Sequence, residues 1–358
     1  MKIRNSKYLY KGYSPAVFWF YLFLSLLAAQ SCKKYVYGNT QHNDKLVVLA
    51  EITADDTANI PVSKSIIAGS GNQIVFQKID NASVSINEQG GATQRLWLNN
   101  SIVFSNNPAS IYSNNSVFKY NTDYTIHITH PELGPVSATT HIPGPFMVDS
   151  IDSYEDNISG KPVLVFDFTI NDPPAEKNYY IFDAVKQIVK LYRYFYWQGV
   201  QYNYNTPKGL NLFEQVKDQP GVTLIRDTIP INKYIRLSVF TRDIKTDNDE
   251  FSSLDSSFRR IFIRDSLFSG QPYTSRLAVS RDHFVAADST ETGIVRLRIN
   301  SVSKELYDYL SQYEKYKSSF GGVPISQLSS PVGNIQNGLG VFGGVARKEW
   351  IFYYDVLQ

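Results

Sequence analysis

One cysteine and two methionines are all the sulfur this 358-residue chain carries. A single thiol excludes an internal disulfide, a thiol-rich zinc site and a cysteine-ligated iron–sulfur cluster. Charge of one sign is missing too. Lys plus Arg is 35 and Asp plus Glu is 33, a net charge of +2. That balance excludes a nucleic-acid binder that works through a basic surface. The sequence holds no H-E-x-x-H metalloprotease motif and no G-x-S-x-G nucleophile elbow. It has no repeat of solenoid length. Past the N-terminal segment, no stretch is long and apolar enough to cross a bilayer as a helix. What is abundant is aromatic: 25 Tyr and 21 Phe, in a chain 43% hydrophobic and 19% charged. This is a globular composition, and residues of that shape favour strands. The length suits about two domains.

The first 31 residues read as a targeting segment. Lys2, Arg4, Lys7 and Lys11 form a basic stretch with no acid before Cys32. The run Ala16 to Ala29 follows, 14 residues of mostly apolar character. As a helix it spans about 21 Å, short of the roughly 30 Å bilayer core. A short apolar run behind a basic stretch is a secretory signal. The only cysteine comes directly after it, in Leu27-Ala28-Ala29-Gln30-Ser31-Cys32. This resembles the bacterial lipobox, in which the cysteine is acylated and becomes the new N-terminus. Small Ser31 fits that pattern; Ala29 stands where Leu is usual, and Gln30 is a looser match. Two or three acyl chains anchor stably where one does not. Removing residues 1–31 takes away four basic side chains and turns the net charge slightly negative. Residues 32–44 read as a polar, lipidated tether, with Lys33 and Lys34 leaving the membrane face undecided.

From Leu46 onward, short strands alternate with turn residues. Seven are expected before residue 145, at 46–52, 60–67, 82–87, 95–98, 116–120, 124–128 and 136–142. Their number and spacing predict an immunoglobulin-like antiparallel β-sandwich over 45–145. The predicted core holds Val47, Leu49, Val84, Ile86, Ile126 and Ile128. Pro143-Gly144-Pro145 marks a boundary. A larger β-rich domain is expected over 146–358, with strands at 163–169, 178–182, 191–197, 200–204, 234–241, 259–263, 275–279 and 294–300. One helix is expected at 304–317, where Leu306, Leu310 and Tyr313 share a stripe, Ser303 is a cap and Glu305 suits the dipole.

Few residues suggest chemistry. Gly338-Leu339-Gly340-Val341-Phe342-Gly343 is a literal G-x-G-x-x-G. Too little chain follows for a helix and an acidic residue, so it reads as a glycine turn packed against the second domain. Asp247-Asn248-Asp249-Glu250 begins like a calcium loop, but Ser252 and Phe258 stand where Gly and a carboxylate are needed. His127 and His130 fall on opposite faces of a regular strand. No cofactor and no metal are expected. The segment Leu191 to Tyr204 reads as an aromatic hairpin turning at Gln198-Gly199. Tyr192, Tyr194 and Tyr196 form one row, and Leu191, Phe195 and Trp197 the other. Rigid aromatics with polar tips suit recognition surfaces, so Tyr192, Tyr194, Tyr196 and Trp197 are the candidate binding residues. The alternative is that the tyrosine row is simply the wet side of a tyrosine-rich sheet.

Several segments carry a family resemblance. They are Lys45-Leu46-Val47-Val48 after the lipid cysteine, Asn81 to Ile86, Thr140-His141-Ile142-Pro143, Asn178-Tyr179-Tyr180, Asp265 to Gly270, and Pro331 to Gly343. Together they resemble a Bacteroidota outer-membrane lipoprotein family classified as a domain of unknown function, often encoded beside TonB-dependent receptors. The resemblance implies a lipid-anchored, non-catalytic envelope protein that assists such a receptor in binding or uptake. The competing readings are an envelope hydrolase with a metal-assisted site built from distant carboxylates, and an adhesion or structural module.

The lipid anchor has a direct test. Cys32→Ser is expected to move the protein from the membrane pellet to the soluble fraction and to abolish labelling by a fatty-acid analogue. A wild-type protein that takes up no lipid label contradicts the anchor.

Overall fold

The computed structural model describes residues 44–68, 73–101, 109–149, 151–174, 177–243, 245–248, 257–286, 291–319 and 331–354. The signal segment, Cys32, nearly all of the tether and part of the calcium-like loop lie outside the described residues. Residues Asp44–Gln358 form one compact unit.

The chain is mostly β. The first half contributes β1 (Lys45–Thr53), β2 (Thr57–Ala68), β3 (Gln73–Lys78), β4 (Ser83–Glu88), β5 (Thr93–Leu98), β6 (Ser110–Val117), β7 (Thr122–His130) and β8 (Gly134–Ile142). After the Pro143-Gly144-Pro145 link come β9 (Met147–Val148), β10 (Asp152–Ile158), β11 (Lys161–Asn171), β12 (Tyr179–Trp197) and β13 (Val200–Asn203). Helix α1 (Pro207–Val216) precedes β14 (Ile225–Arg236), β15 (Val239–Phe240), β16 (Ser257–Phe258), β17 (Ile261–Arg264), β18 (Pro272–Ser280) and β19 (Glu291–Val302). Helix α2 (Lys304–Ser319) and β20 (Leu339–Tyr354) end the described chain.

These strands make two sheets. A 14-stranded sheet runs β13-β12-β19-β20-β1-β2-β6-β5-β4-β7-β8, with β14 and β17 also on β12 and β3 on β2. A six-stranded sheet runs β10-β11-β18-β15-β16, with β9 on β11. In the first half the large sheet folds over at β5, which pairs with both β4 and β6. Side chains of both leaves then meet in one cluster: Val48 and Ile52 of β1, Ile60 of β2, Ile86 of β4, and Ile126 and Ile128 of β7. In the second half, β12 and β19 of the large sheet pack on β11 and β18 of the small one, through Phe182, Leu297, Phe168 and Val279. Both halves are sandwich-like. Helix α2 covers the opposite face of the large sheet, with Leu306, Tyr307 and Leu310 on Ile181, Val302 and Val345. Leu306 and Leu310 lie on the stripe read from the sequence, and the helix matches its expected position.

The hydrophobic clusters change over at the Pro143-Gly144-Pro145 link. Ile142 belongs to the first and Phe146 to the second. The sheet does not divide there. β20 pairs in parallel with β1, from Val47↔Leu339 to Thr53↔Val345. It pairs antiparallel with β19, from Val302↔Val345 to Gly293↔Tyr354. Phe342 belongs to the first cluster, and Ala346 and Tyr354 to the second.

Several expectations need correction. Leu49 is 42% exposed; the core side of β1 is Leu46, Val48, Ala50 and Ile52. A continuous apolar run cannot show which parity faces inward, because both do in composition. The strand expected at 116–120 lies at Ser110–Val117, and its neighbour Phe118 is core without being strand. The glycine-rich motif is not a turn. Gly340, Gly343 and Gly344 lie within β20. Gly340 has φ +101°, and a Cβ there would fall on the carbonyl of Val48. A Cβ on Gly344 would fall on the carbonyl of His141, and one on Gly343 would meet Leu306. Glycine is required because β1, β8 and α2 all approach this stretch closely.

Candidate functional site

Strand β12 is 19 residues long. Its pairing with β19 ends at Lys190↔Glu291. Beyond that point its neighbours are β13, from Tyr194↔Asn203 to Trp197↔Val200, and β14, from Val189↔Pro230 to Tyr194↔Ile225. Leu191–Trp197 is therefore the spine of a three-stranded arm past the end of the main sheet. The turn at its tip is Gln198-Gly199, with φ +49° and +78°. Two successive positive φ values are the geometry that matches hairpin twist, and Gly199 adopts its value without strain.

The two rows of the arm differ sharply. Phe195 is fully buried, stacked on Tyr202 at 5.5 Å and edge-on to Phe213 of α1 at 5.1 Å. Helix α1 is held there by local chemistry. Pro207 sits in its first turn, and the Thr206 hydroxyl accepts from Gly209 N–H at 3.1 Å. The Asn205 side chain donates to the Leu191 carbonyl at 2.7 Å. On the other row Tyr192 stacks on Tyr194 at 5.3 Å, and Tyr194 meets Tyr196 edge-on at 5.8 Å. The Tyr196 hydroxyl donates to Gln201 Oε1 at 3.2 Å, and Gln201 Nε2 donates to Tyr192 at 3.1 Å. Tyr192 and Tyr194 are half-buried, and Tyr196 is 47% exposed. Trp197 is half-buried at the turn. The structure thus gathers Tyr192, Tyr194 and Tyr196 into one rigid ladder, with Trp197 on the opposite row.

A second grouping escaped the sequence reading. On the face of the large sheet shared with α2, Asp183 of β12 is buried among arginines. It accepts from Arg298 Nε at 2.6 Å and from Arg298 Nη2 at 2.8 Å, and from Arg236 as well. Arg260 pairs with Glu314 of α2 at 2.5 Å, and Arg296 with Glu349 at 3.1 Å. Arg347 donates to Asn300 Oδ1 at 2.8 Å and lies 3.8 Å from Glu51. The available signal was Val295-Arg296-Leu297-Arg298-Ile299, a strand with arginine on one face and apolar residues on the other. Burial pushes the Asp183 carboxyl up, but Arg298 and Arg236 outweigh it and hold the group well below the usual carboxylate range. Arg236 is pulled down by burial, against the attraction of Asp183 and with repulsion from Arg260 and Arg298. Guanidinium stays protonated throughout.

Other candidate groups are engaged in pairs. Buried Lys186 lies 3.2 Å from Glu291 and over the Tyr354 ring at 4.1 Å. The Tyr354 hydroxyl donates to the same Glu291 at 3.2 Å. Asp247, first residue of the calcium-like loop, accepts from Arg264 Nε and Nη2 and from the Tyr307 hydroxyl. His130 is buried, 2.8 Å from Asn81 Oδ1, while His127 is exposed. Among the described residues, no group of three or more His, Cys, Asp or Glu side chains could hold a metal ion.

Asp183→Asn is expected to cost about 3 kcal/mol or more, because it leaves guanidinium groups without their counter-ion. The sign with pH follows from the lowered carboxyl. Its contribution is present above the unfolded value, near 4, and is lost as pH falls below it. Urea midpoints at pH 7 and pH 3 check this: the gap between wild type and variant should narrow at pH 3. An equal gap at both would contradict the arrangement.

No curated protein matches this chain. A family model matches residues 33–350, from just after Cys32 to within β20. Over that span lie the two sandwich-like halves, the tyrosine arm and the arginine cluster, and the chain belongs to the family described as Domain of unknown function (DUF4249).

Proposed function

We propose that this chain is a lipid-anchored, non-catalytic binding component of a Bacteroidota outer membrane, accessory to a TonB-dependent receptor. The observation that carries the proposal is the Tyr192–Tyr194–Tyr196 ladder on an arm of the large sheet that extends past the end of β19. Three tyrosines fixed by mutual stacking and by Gln201 present flat apolar area with polar tips at low entropic cost. Trp197 adds to the same tip from the other row. The match of the family model from residue 33 supports anchoring at Cys32, since the shared sequence starts one residue after it. A tether of roughly 12 residues reaches about 40 Å when extended. The strand order β1-β2-β6 on one leaf and β5-β4-β7-β8 on the other supports an immunoglobulin-like frame for the first half.

The charged groups support binding over catalysis. A general acid or base works best with a pKa near the operating pH. Asp183 is driven away from that range by its arginines, and Lys186, Glu291 and Asp247 are each held in ion pairs.

Replacing Tyr192, Tyr194 and Tyr196 together by Ser is expected to leave a folded protein and to reduce capture of a TonB-dependent receptor from solubilised outer membrane at least tenfold. Aromatic hot spots typically lose about 2 kcal/mol or more each on truncation. Near-ultraviolet circular dichroism reports the fold, and mass spectrometry identifies the captured receptor. Phe195→Ala, a fully buried change, is the control expected to destabilise by about 3 kcal/mol or more. A folded triple variant with undiminished capture contradicts the role of the arm.

A further inference from the structure

Helix α2 does not seal the sheet face it covers. Between them lies a cavity of about 190 Å³. Its floor is Leu49 of β1 and Val341 of β20, and its roof is Tyr309, Leu310 and Tyr313 of α2. Tyr309 and Tyr313 stand parallel, 6.5 Å apart with 4° between their planes. At one end the lining turns polar. Arg260 and Glu51 border the cavity, and also border a narrower recess that reaches Asp183, Asn300 and Arg347. The lining is mostly apolar, with an ionic border at Arg260 and Glu51.

The ions there do not balance. Among the described residues, Arg236, Arg260, Arg296, Arg298 and Arg347 face Asp183, Glu51, Glu314 and Glu349, five cations against four anions. Asp183 serves two of the arginines and Glu314 a third. Arg347 lies at the long distance of 3.8 Å from Glu51, feels Asp183 and Glu349 from farther off, and donates to the neutral Asn300. Burial and the nearby Arg298 both press against the charge on Arg347. One added negative charge would neutralise the group. Leu49 points the same way. It faces out of the first core, is 42% exposed, and lies on the cavity floor.

We propose that this cleft is a binding site for a small monocarboxylate with an apolar body. The body lies between Leu49 and Val341 below and Tyr309 and Tyr313 above. The carboxylate meets the guanidinium group of Arg260, at the border the cleft shares with the recess that holds Arg347. A volume of 190 Å³ equals that of about six water molecules in the liquid, which suits a phenyl ring with a short chain and is below the usual drug-sized pocket. The site stands on the cleft alone and holds whichever partner the tyrosine arm meets.

The probe is 3-phenylpropionate, titrated calorimetrically into the mature soluble protein carrying Cys32→Ser. Its neutral and cationic counterparts, 3-phenylpropanol and 3-phenylpropylamine, are run beside it. The carboxylate should bind at least about tenfold more tightly than either, as a charge-assisted hydrogen bond predicts. The double variant Arg260→Gln with Glu314→Gln removes a pair together and leaves no orphaned charge. It should lose that tenfold preference while binding the alcohol as before. Leu49→Asp, which places charge on the apolar floor, should abolish binding of all three. Equal affinity for acid and alcohol in the wild type overturns the proposal, as does no measurable binding of the acid. Tighter binding of a neutral, blocked phenylalanine peptide than of the acid also overturns it and assigns the cleft to a side chain of a partner protein.

Discussion

Everything in this fold depends on β20 lying between β1 and β19. These are the first strand of one half and the last strand before the C-terminal helix of the other. The pairing is parallel on one side and antiparallel on the other. It places Phe342 in the first core and Ala346 and Tyr354 in the second. Parallel neighbours need a long connection, and here it is nearly the entire chain. The price is glycine. Gly340, Gly343 and Gly344 weaken a strand intrinsically, yet a Cβ at these positions would strike Val48, Leu306 or His141. Close approach of three elements decides the residue type over strand propensity.

The same strand creates the second face of the large sheet. In the C-terminal half one face packs on the small sheet and is apolar. The other carries the buried Asp183 with Arg298 and Arg347, and has Val302 and Val345 beneath α2. Taking Asp183 out of water is costly unless its oxygens are satisfied, and here Arg298 and Arg236 supply the donors. The network and the helix together shape the cleft, because Arg260 is tied to Glu314 of α2 while Leu306 rests against Gly343. The tyrosine arm is built separately. β12 outruns β19, so its distal residues are supported by β13, β14, the Asn205 side chain on the Leu191 carbonyl and the packing of Phe213 on Phe195.

Local signals were legible where one segment decides its own structure. The strands expected at 82–87 and 124–128 lie within Ser83–Glu88 and Thr122–His130 to within a residue, and Val84, Ile86, Ile126 and Ile128 face inward as expected. Leu306 and Leu310 define the helix face. The Gln198-Gly199 turn and the two rows of the hairpin follow from turn chemistry and a period of two. What was hidden is non-local. Leu49 and Val48 are equally apolar, and the structure separates them by which face β20 and β1 share. The long middle of β12 was missed because Asp183, Lys186, Gln187 and Lys190 interrupt its apolar character. Their partners lie in β14, β19 and β20, far along the chain. Helix α1 did carry a readable mark, a threonine cap before proline, but its ten residues are too few for a strong periodic pattern. The arginine cluster shows the same division. Its strand period is visible in Val295 to Ile299, whereas the convergence on Asp183 belongs to the fold.

If β20 binds both halves into one cooperative unit, they must open together. Native-state hydrogen exchange reads this directly, from the slowest amides of β7 in the first half and β11 in the second. The account predicts that both sets exchange through the same global opening, with equal free energies and equal dependence on denaturant. Two distinct opening free energies, with β7 surviving the unfolding of β11 or the reverse, would contradict it.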